Sequence, residues 1–351
     1  MTRFLLRRLL LLLPTVWFIM SVVFLLSRVI PGTFQDRMAE AAETTIGTPA
    51  PARPAYGSGQ NDHKPLFYWS LKAHPQRPFL PVVFWHGTDN QYHAWLGQLV
   101  QGDLGASYRD RQPVSTILGE AIGNTLLLLG LSLFVTFFIS IELALALMAK
   151  GGRRWRAPVL SLLFILDSIP LFIIALLLLV FLAGTGYLSW FPLFGLGYAP
   201  PDTTVWEALA RRLYHLVLPG LCLVLSGMPY VTTTLYRVMQ EVAGSAFIMT
   251  ARAKGLSARV VLRRHVLRNA VLPLITLFTG FLPSLISGAL VVEVIFAIPG
   301  TGRLLADSVL ARDYPVVLGL VLVVATLKAA SHLLADFLYF SADPRTRLKI
   351  V

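Results

Sequence analysis

The amino-acid sequence predicts an all-α membrane protein with six transmembrane helices and a large extracytoplasmic lobe between helices 1 and 2. Three observations carry this. Hydrophobic residues make up 56% of the 351 residues and charged residues only 14%, where a soluble domain carries roughly a quarter. Six runs approach the ~20 apolar residues needed to cross a hydrocarbon core. Lysines and arginines fall in alternate connections, as they do when those connections share the cytoplasmic side. A segment in lipid must satisfy its own backbone polar groups, so the runs are expected as helices.

The first run, Leu9–Leu26, follows Arg3, Arg7 and Arg8. The stretch "SRVIPGTF" after it has no small-x-small cleavage pattern, so residues 1–30 are expected as a retained anchor helix and not a removed signal. Residues 31–123 form the long external connection. Its start, "TTIGTPAPARPAYGSGQ", reads as loop. Its middle is aromatic ("PLFYWSL", "PFLPVVFWHG", "NQYHAWLGQLVQGDLG"), and Trp69, Trp85 and Trp95 predict a partly folded lobe lying on the membrane or on a partner. A five-helix core, 124–340, follows. Its spans are Thr125–Met148, Pro158–Leu182, Leu213–Leu235, Val271–Ile298 and Tyr314–Phe340. Lys150, Arg153, Arg154 and Arg156 separate the second span from the third. The basic loop 236–270 separates the fourth from the fifth, and 341–351 is a tail with Arg345, Arg347 and Lys349. By this pattern both termini are cytoplasmic.

The loop stretch "TARAKGLSARVVLRRHVLRN", Thr250–Asn269, holds six lysines and arginines and no acid. It reads as two short helices. The first runs through "SAFIMTARAK" and is ended by Gly255 in left-handed geometry. The second starts at Ala258 with Ser257 as cap. The second helix divides into no clean basic and apolar faces, so it is expected among protein neighbours and not flat on a lipid surface.

Charges inside the spans need a reason, since each costs roughly 2.5–3.5 kcal/mol at a helix centre. Lys328, His332 and Asp336 share one helix face and can either line an aqueous path or pack as a polar seam. Glu293 can meet a cationic substrate group or pair with an arginine such as Arg303. Asp167, beside Ser168 and Pro170, can satisfy backbone groups freed by a proline kink. Pro273 and Pro283 can bend the fifth span. Glu142 has no assigned role. The one cysteine, Cys222, excludes a disulfide framework. No phosphate-binding loop occurs, so the chain is not expected to bind ATP or any cofactor. The net charge of +12 is accounted for by cytoplasmic loops. The basic block lacks interleaved aromatics, so nucleic acid is not an expected partner.

The block "TARAKGLSARVVLRRHVLRNAVLP" resembles the cytoplasmic loop of the oligopeptide/dipeptide/nickel permease family of ABC importers. The stretches "RVIPGT", "WLGQLVQGDLGASYRDRQPV", "VVEVIFAIPGTGRLL", "DYP" and "DFLYFSADPRTR" are similar to that family in the same order. The likeness leaves out roughly 35–92. It departs where Met249, Thr250 and Ala251 stand in place of the broader Glu-Ala-Ala pattern, in the aromatic insertion Pro78–Asn90, and at His332. The resemblance implies a type I ABC importer permease fold in the bacterial inner membrane. It implies a coupling helix at Thr250, Ala251, Arg252, Ala253, Lys254, Gly255 and Leu256. It implies a second permease subunit, two ATP-binding subunits and an extracytoplasmic substrate-binding protein as partners, with peptides or related small solutes as cargo. Glu293, Lys328 and His332 are the candidate translocation-path residues. The rival is a self-sufficient secondary transporter or channel using Lys328, His332, Asp336 and Glu293.

Overall fold

The computed structural model describes residues 2–29, 64–74, 77–149, 153–184, 187–197, 200, 202–270, 275 and 289–342. Most of the expected fifth span, with Pro273 and Pro283, lies outside the described residues, as do Lys150, Arg345, Arg347 and Lys349. The chain divides into two compact units. The first comprises Met1–Leu9, Ala121–Leu304 and Leu327–Val351, and the second Leu10–Glu120 and Leu305–Thr326.

In chain order the elements begin with helix α1, Thr2–Val29, then strands β1, Trp69–His74, and β2, Arg77–Trp85, paired antiparallel. Helix α2 is Gln91–Val100, α3 Val114–Met148, α4 Arg153–Ser168, α5 Leu171–Leu182 and α6 Val205–Ala243. Helix α7 is Ala246–Ala253. Helix α8 consists of Ala258–Val260, a π-helical stretch Val261–Val266, and Leu267–Asn269. Helices α9, Thr301–Ala311, and α10, Tyr314–Ala342, complete the chain. Three of these (α3, α6 and α10) are long and apolar enough to cross a membrane, and the α4–α5 pair makes a fourth if it counts as one span.

Several boundaries differ from the sequence reading. Helix α3 begins at Val114, inside the segment expected as external connection. Helix α6 is 39 residues long. Its start is fixed by a reciprocal cap, in which Thr204 Oγ1 accepts from Glu207 N at 3.3 Å and Glu207 Oε2 accepts from Thr204 N at 3.1 Å. Its far end runs into the loop expected to begin at 236. The third span is not one straight helix: α4 and α5 meet at 101°. Pro170 cannot donate to a helical ladder, and its extended ψ of 139° turns the chain there. At this break Ser168 Oγ bonds Phe164 O at 2.9 Å, whereas Asp167 is exposed.

In the unit holding α2, aromatic rings make the core. Phe24 of α1 stacks on Trp95 at 4.7 Å, and Ser21 shares a 2.7 Å hydrogen bond with the Tyr92 hydroxyl. Trp69 and Trp85 are 48% and 73% exposed in the chain by itself. Both sit on the two-stranded hairpin.

The other unit has two apolar cores. One gathers Leu128, Ile174, Leu216, Cys222, Val292 and Phe296. The second gathers Ala144, Leu235, Met239, Ile248, Val261 and Val266. On α3, Ser132, Thr136 and Ser140 are buried, and Ser140 Oγ donates to Met228 O of α6 at 3.4 Å. Their small size lets the helices approach: a Cβ on Gly220 would lie 3.4 Å from Ser132 Oγ.

Candidate functional site

The basic block is the first candidate. Helix α7 is held from beneath by Ile248, 0% exposed, and Ala251, 7% exposed. Lys254 closes it, and Gly255 then takes φ +78°, the left-handed turn expected from the sequence. Helix α8 starts at Ala258 as expected, but Ser257 makes no side-chain cap bond. Residues 252–260 are all exposed, so Arg252, Ala253, Lys254, Gly255 and Leu256 stand out together, with Thr250 exposed at their base. Leu256 and Val260 are each 40% exposed beside these cations. The ledge is therefore mixed basic and apolar, a composition suited to protein contact.

Helix α8 has neighbours on several sides, as expected. Val261 and Val266 are buried in the second apolar core. Arg263 Nη2 donates to both oxygens of Glu142 on α3, at 2.7 and 3.0 Å. The acid that had no assigned role is the partner of the acid-free block. On α4, Arg156 donates to Leu147 O at 3.1 Å.

The second candidate is Glu293, in the helical stretch 289–295. It is fully buried. Its Oε2 accepts from Gly302 N at 2.7 Å and Arg303 N at 3.1 Å, and its Oε1 accepts from Thr125 Oγ1 at 2.7 Å. Thr125 Oγ1 in turn accepts from Thr301 N at 2.8 Å, and Asn124 Nδ2 donates to Pro299 O at 2.9 Å. The carboxylate thus satisfies orphan donors at the start of α9. The expected ion pair with Arg303 is replaced by a main-chain bond, while the Arg303 guanidinium reaches Ala297 O at 2.7 Å. A Cβ on Gly300 would come within 2.3 Å of Glu293 Cδ, and one on Gly302 within 2.4 Å of Leu290 Cα. Among the described residues Glu293 is a joint between elements.

Lys328 and His332 differ: both side chains are exposed on α10. The side chain of Asp336 lies outside the described residues. A further acid, absent from the sequence candidates, is Asp313, 2% exposed. Its Oδ2 accepts from Ser107 Oγ at 2.5 Å and its Oδ1 from Tyr108 N at 3.0 Å. The motif "DYP" is thereby tied to "GASYRD". Among the described residues, no three histidines, cysteines or acids gather as a metal set.

Comparison with known proteins decides what bears these sites. Residues 140–348 match the family model of the binding-protein-dependent transport system inner membrane component. The chain belongs to this family. Such an inner membrane component is a membrane-embedded permease subunit of an ABC importer and not itself an enzyme. Among its relatives, the oligopeptide transport system permease protein AppB of Bacillus subtilis is 38% identical over 73% of this chain and 79% of its own length. The inner membrane ABC transporter permease protein YejB of Escherichia coli O157:H7 is 28% identical over 98% of both chains. A putative peptide transport system permease protein of Brucella abortus is 36% identical over 73% of this chain and 79% of its own. A solved structure of the MetNI methionine ABC transporter, in inward facing conformations, aligns with TM-score 0.49 and 16% identity over 65% of this chain and 97% of that chain. The basic ledge, Glu142 and Glu293 lie within the matched region, and Asn124 and Thr125 precede it.

Proposed function

We propose that this permease subunit imports peptides or related small solutes and takes its driving force through the ledge Thr250–Leu256. The observation that carries this is the ledge itself: residues 252–260 are exposed without a break, on a loop anchored by a buried core. Peptide cargo rests on the names of AppB and the Brucella relative. On this reading the fold is of the type I kind with six spans, the aromatic segment forms an extracytoplasmic lobe, and both termini are cytoplasmic. The partners are a second permease subunit, two ATP-binding subunits and an extracytoplasmic substrate-binding protein. ATP is hydrolysed on the separate subunits, and this chain holds no cofactor. Lys328 and His332 face the translocation path, since charges exposed on a span need water or a partner beside them. Glu293 serves the path only indirectly.

The test is uptake by the complex that co-purifies with this chain, reconstituted in vesicles with ion gradients dissipated. Uptake of a labelled oligopeptide should require ATP, and Lys328→Gln should change its KM. Uptake driven by a proton gradient with no ATPase present would instead establish the secondary-transporter reading.

A further inference from the structure

Two contacts on α3 lie near its opposite ends. Near the inner end, Glu142 holds Arg263 of the basic block at 2.7 Å. Ala144 and Leu145 of the same helix pack in one core with Ile248 of α7 and Val261 and Val266 of α8. Near the other end, Thr125 bonds Glu293 at 2.7 Å, and its neighbour Asn124 holds Pro299 O. Between Thr125 and Glu142 the helix is unbroken. At roughly 1.5 Å per residue that is about 26 Å of rigid rod, most of a hydrocarbon core about 30 Å thick.

The outer contact is built to tight tolerance. Gly302 N and Arg303 N converge on one carboxylate oxygen, and Gly300 and Gly302 leave no space for a side chain. Ala297, in the same turn, is held at φ +54°, a conformation that an L-residue keeps only where its surroundings enforce it. Gly195 N bonds Phe296 O at 2.9 Å on the other side. A displacement of Thr125 cannot be absorbed inside such a turn and must move it as a piece.

We propose that α3 is the rod that carries movement of the basic ledge to the extracytoplasmic end of the path, with Glu142 and Glu293 as the positioning residues at its two ends. This rests on the reading of the ledge as the site of ATPase contact. Neither acid touches the cargo. Glu142 transmits the displacement of α8 into α3, and Glu293 transmits that of α3 into the turn 297–303.

The test measures solute imported per ATP hydrolysed by the reconstituted complex, with retention of the ATPase scored on the same samples. Glu142→Arg and Arg263→Glu should each lower that ratio about fivefold or more, the lower end of ordinary coupling between sites. The double exchange should restore it. Both side chains are about half exposed (55% and 48%), so the exchange buries no new charge. At the outer end Glu293→Gln can keep one oxygen on the two main-chain donors but sets an amide donor against the Thr125 hydroxyl, which donates there in the unmutated chain, and should lower the ratio likewise. Should that variant not assemble, Thr125→Val removes one hydroxyl and should lower the ratio, and Thr125→Ser restores the hydroxyl and should recover it. A purely structural role would reduce the amount of complex and leave the ratio unchanged. An unchanged ratio in Glu142→Arg or Thr125→Val complexes that retain ATPase, or a double exchange no better than its single variants, overturns the rod and leaves the ledge assignment standing. Import by the unmutated chain with no ATPase bound overturns both.

Discussion

At the scale of single residues, buried acids act here as joints. Glu293 and Asp313 are both buried, yet neither is neutralised by a lysine or arginine side chain in the bonds described. Each takes main-chain N–H groups and one hydroxyl, which satisfies a carboxylate without a counter-ion. Hydrogen bonds to charged groups contribute about 1.5–3 kcal/mol. Asp313→Ala should therefore lower the unfolding temperature of the detergent-solubilised protein, because it removes the acceptor of both Ser107 Oγ and Tyr108 N. Ser107→Ala, which removes one donor and leaves the carboxylate its main-chain bond, should cost less. Equal melting of the two variants would contradict that ranking. The sequence marks Glu293 as a charge needing an explanation, but main-chain donors at a helix start do not show in a list of side chains. That is why an amine or the Arg303 side chain appears the natural partner beforehand. Glu142 was open to a stricter reading: a lone acid in an apolar span, opposite a loop with six cations and no acid, is complementary to it.

At the scale of elements, glycine acts in two distinct ways. Gly255 sits at φ +78° with nothing within 4 Å of where a Cβ would be. It is needed for conformation alone. Asparagine tolerates the left-handed region whereas a β-branched residue does not. Gly255→Asn should keep ATPase bound and uptake running, and Gly255→Val should lose both, measured by co-purification and transport. Gly302 carries no left-handed requirement, and its Cβ would meet backbone at 2.4 Å. There every side chain, asparagine included, is excluded by space. Gly255 was legible in the sequence because a glycine after a short helix followed by serine has a conformational signature. Gly302 was not, because its constraint comes from Leu290, twelve residues away in sequence and adjacent only in the fold. The same division holds for helices. The start of α8 falls at Ala258 as expected, although Ser257 forms no cap bond there. Its π-helical stretch, and the size of the bend at Pro170, depend on tertiary packing that periodicity does not encode.

At the scale of the whole molecule, the assignment of sides can be tested on α3 alone. This helix has 35 residues, about 52 Å at the helical rise, against a hydrocarbon core of about 30 Å. If it crosses, its two ends emerge on opposite sides, with Val100 upstream of one end and the basic loops downstream of the other. The positive-inside pattern makes the basic side cytoplasmic. The only cysteine, Cys222, is buried, so Cys222→Ala provides a background for labelling. Val100 is 81% exposed and Lys254 is exposed, so a cysteine at either site will meet reagent. Lys254→Cys should react with a membrane-impermeant maleimide in inverted vesicles only, and ATPase binding should protect it. Val100→Cys should react in right-side-out vesicles only and be indifferent to the ATPase. Reaction of both from one side would mean that α3 does not cross, and the rod would then have no outer end to move. Reaction of Lys254→Cys from the outside alone would invert the molecule and remove the ledge from any cytoplasmic motor.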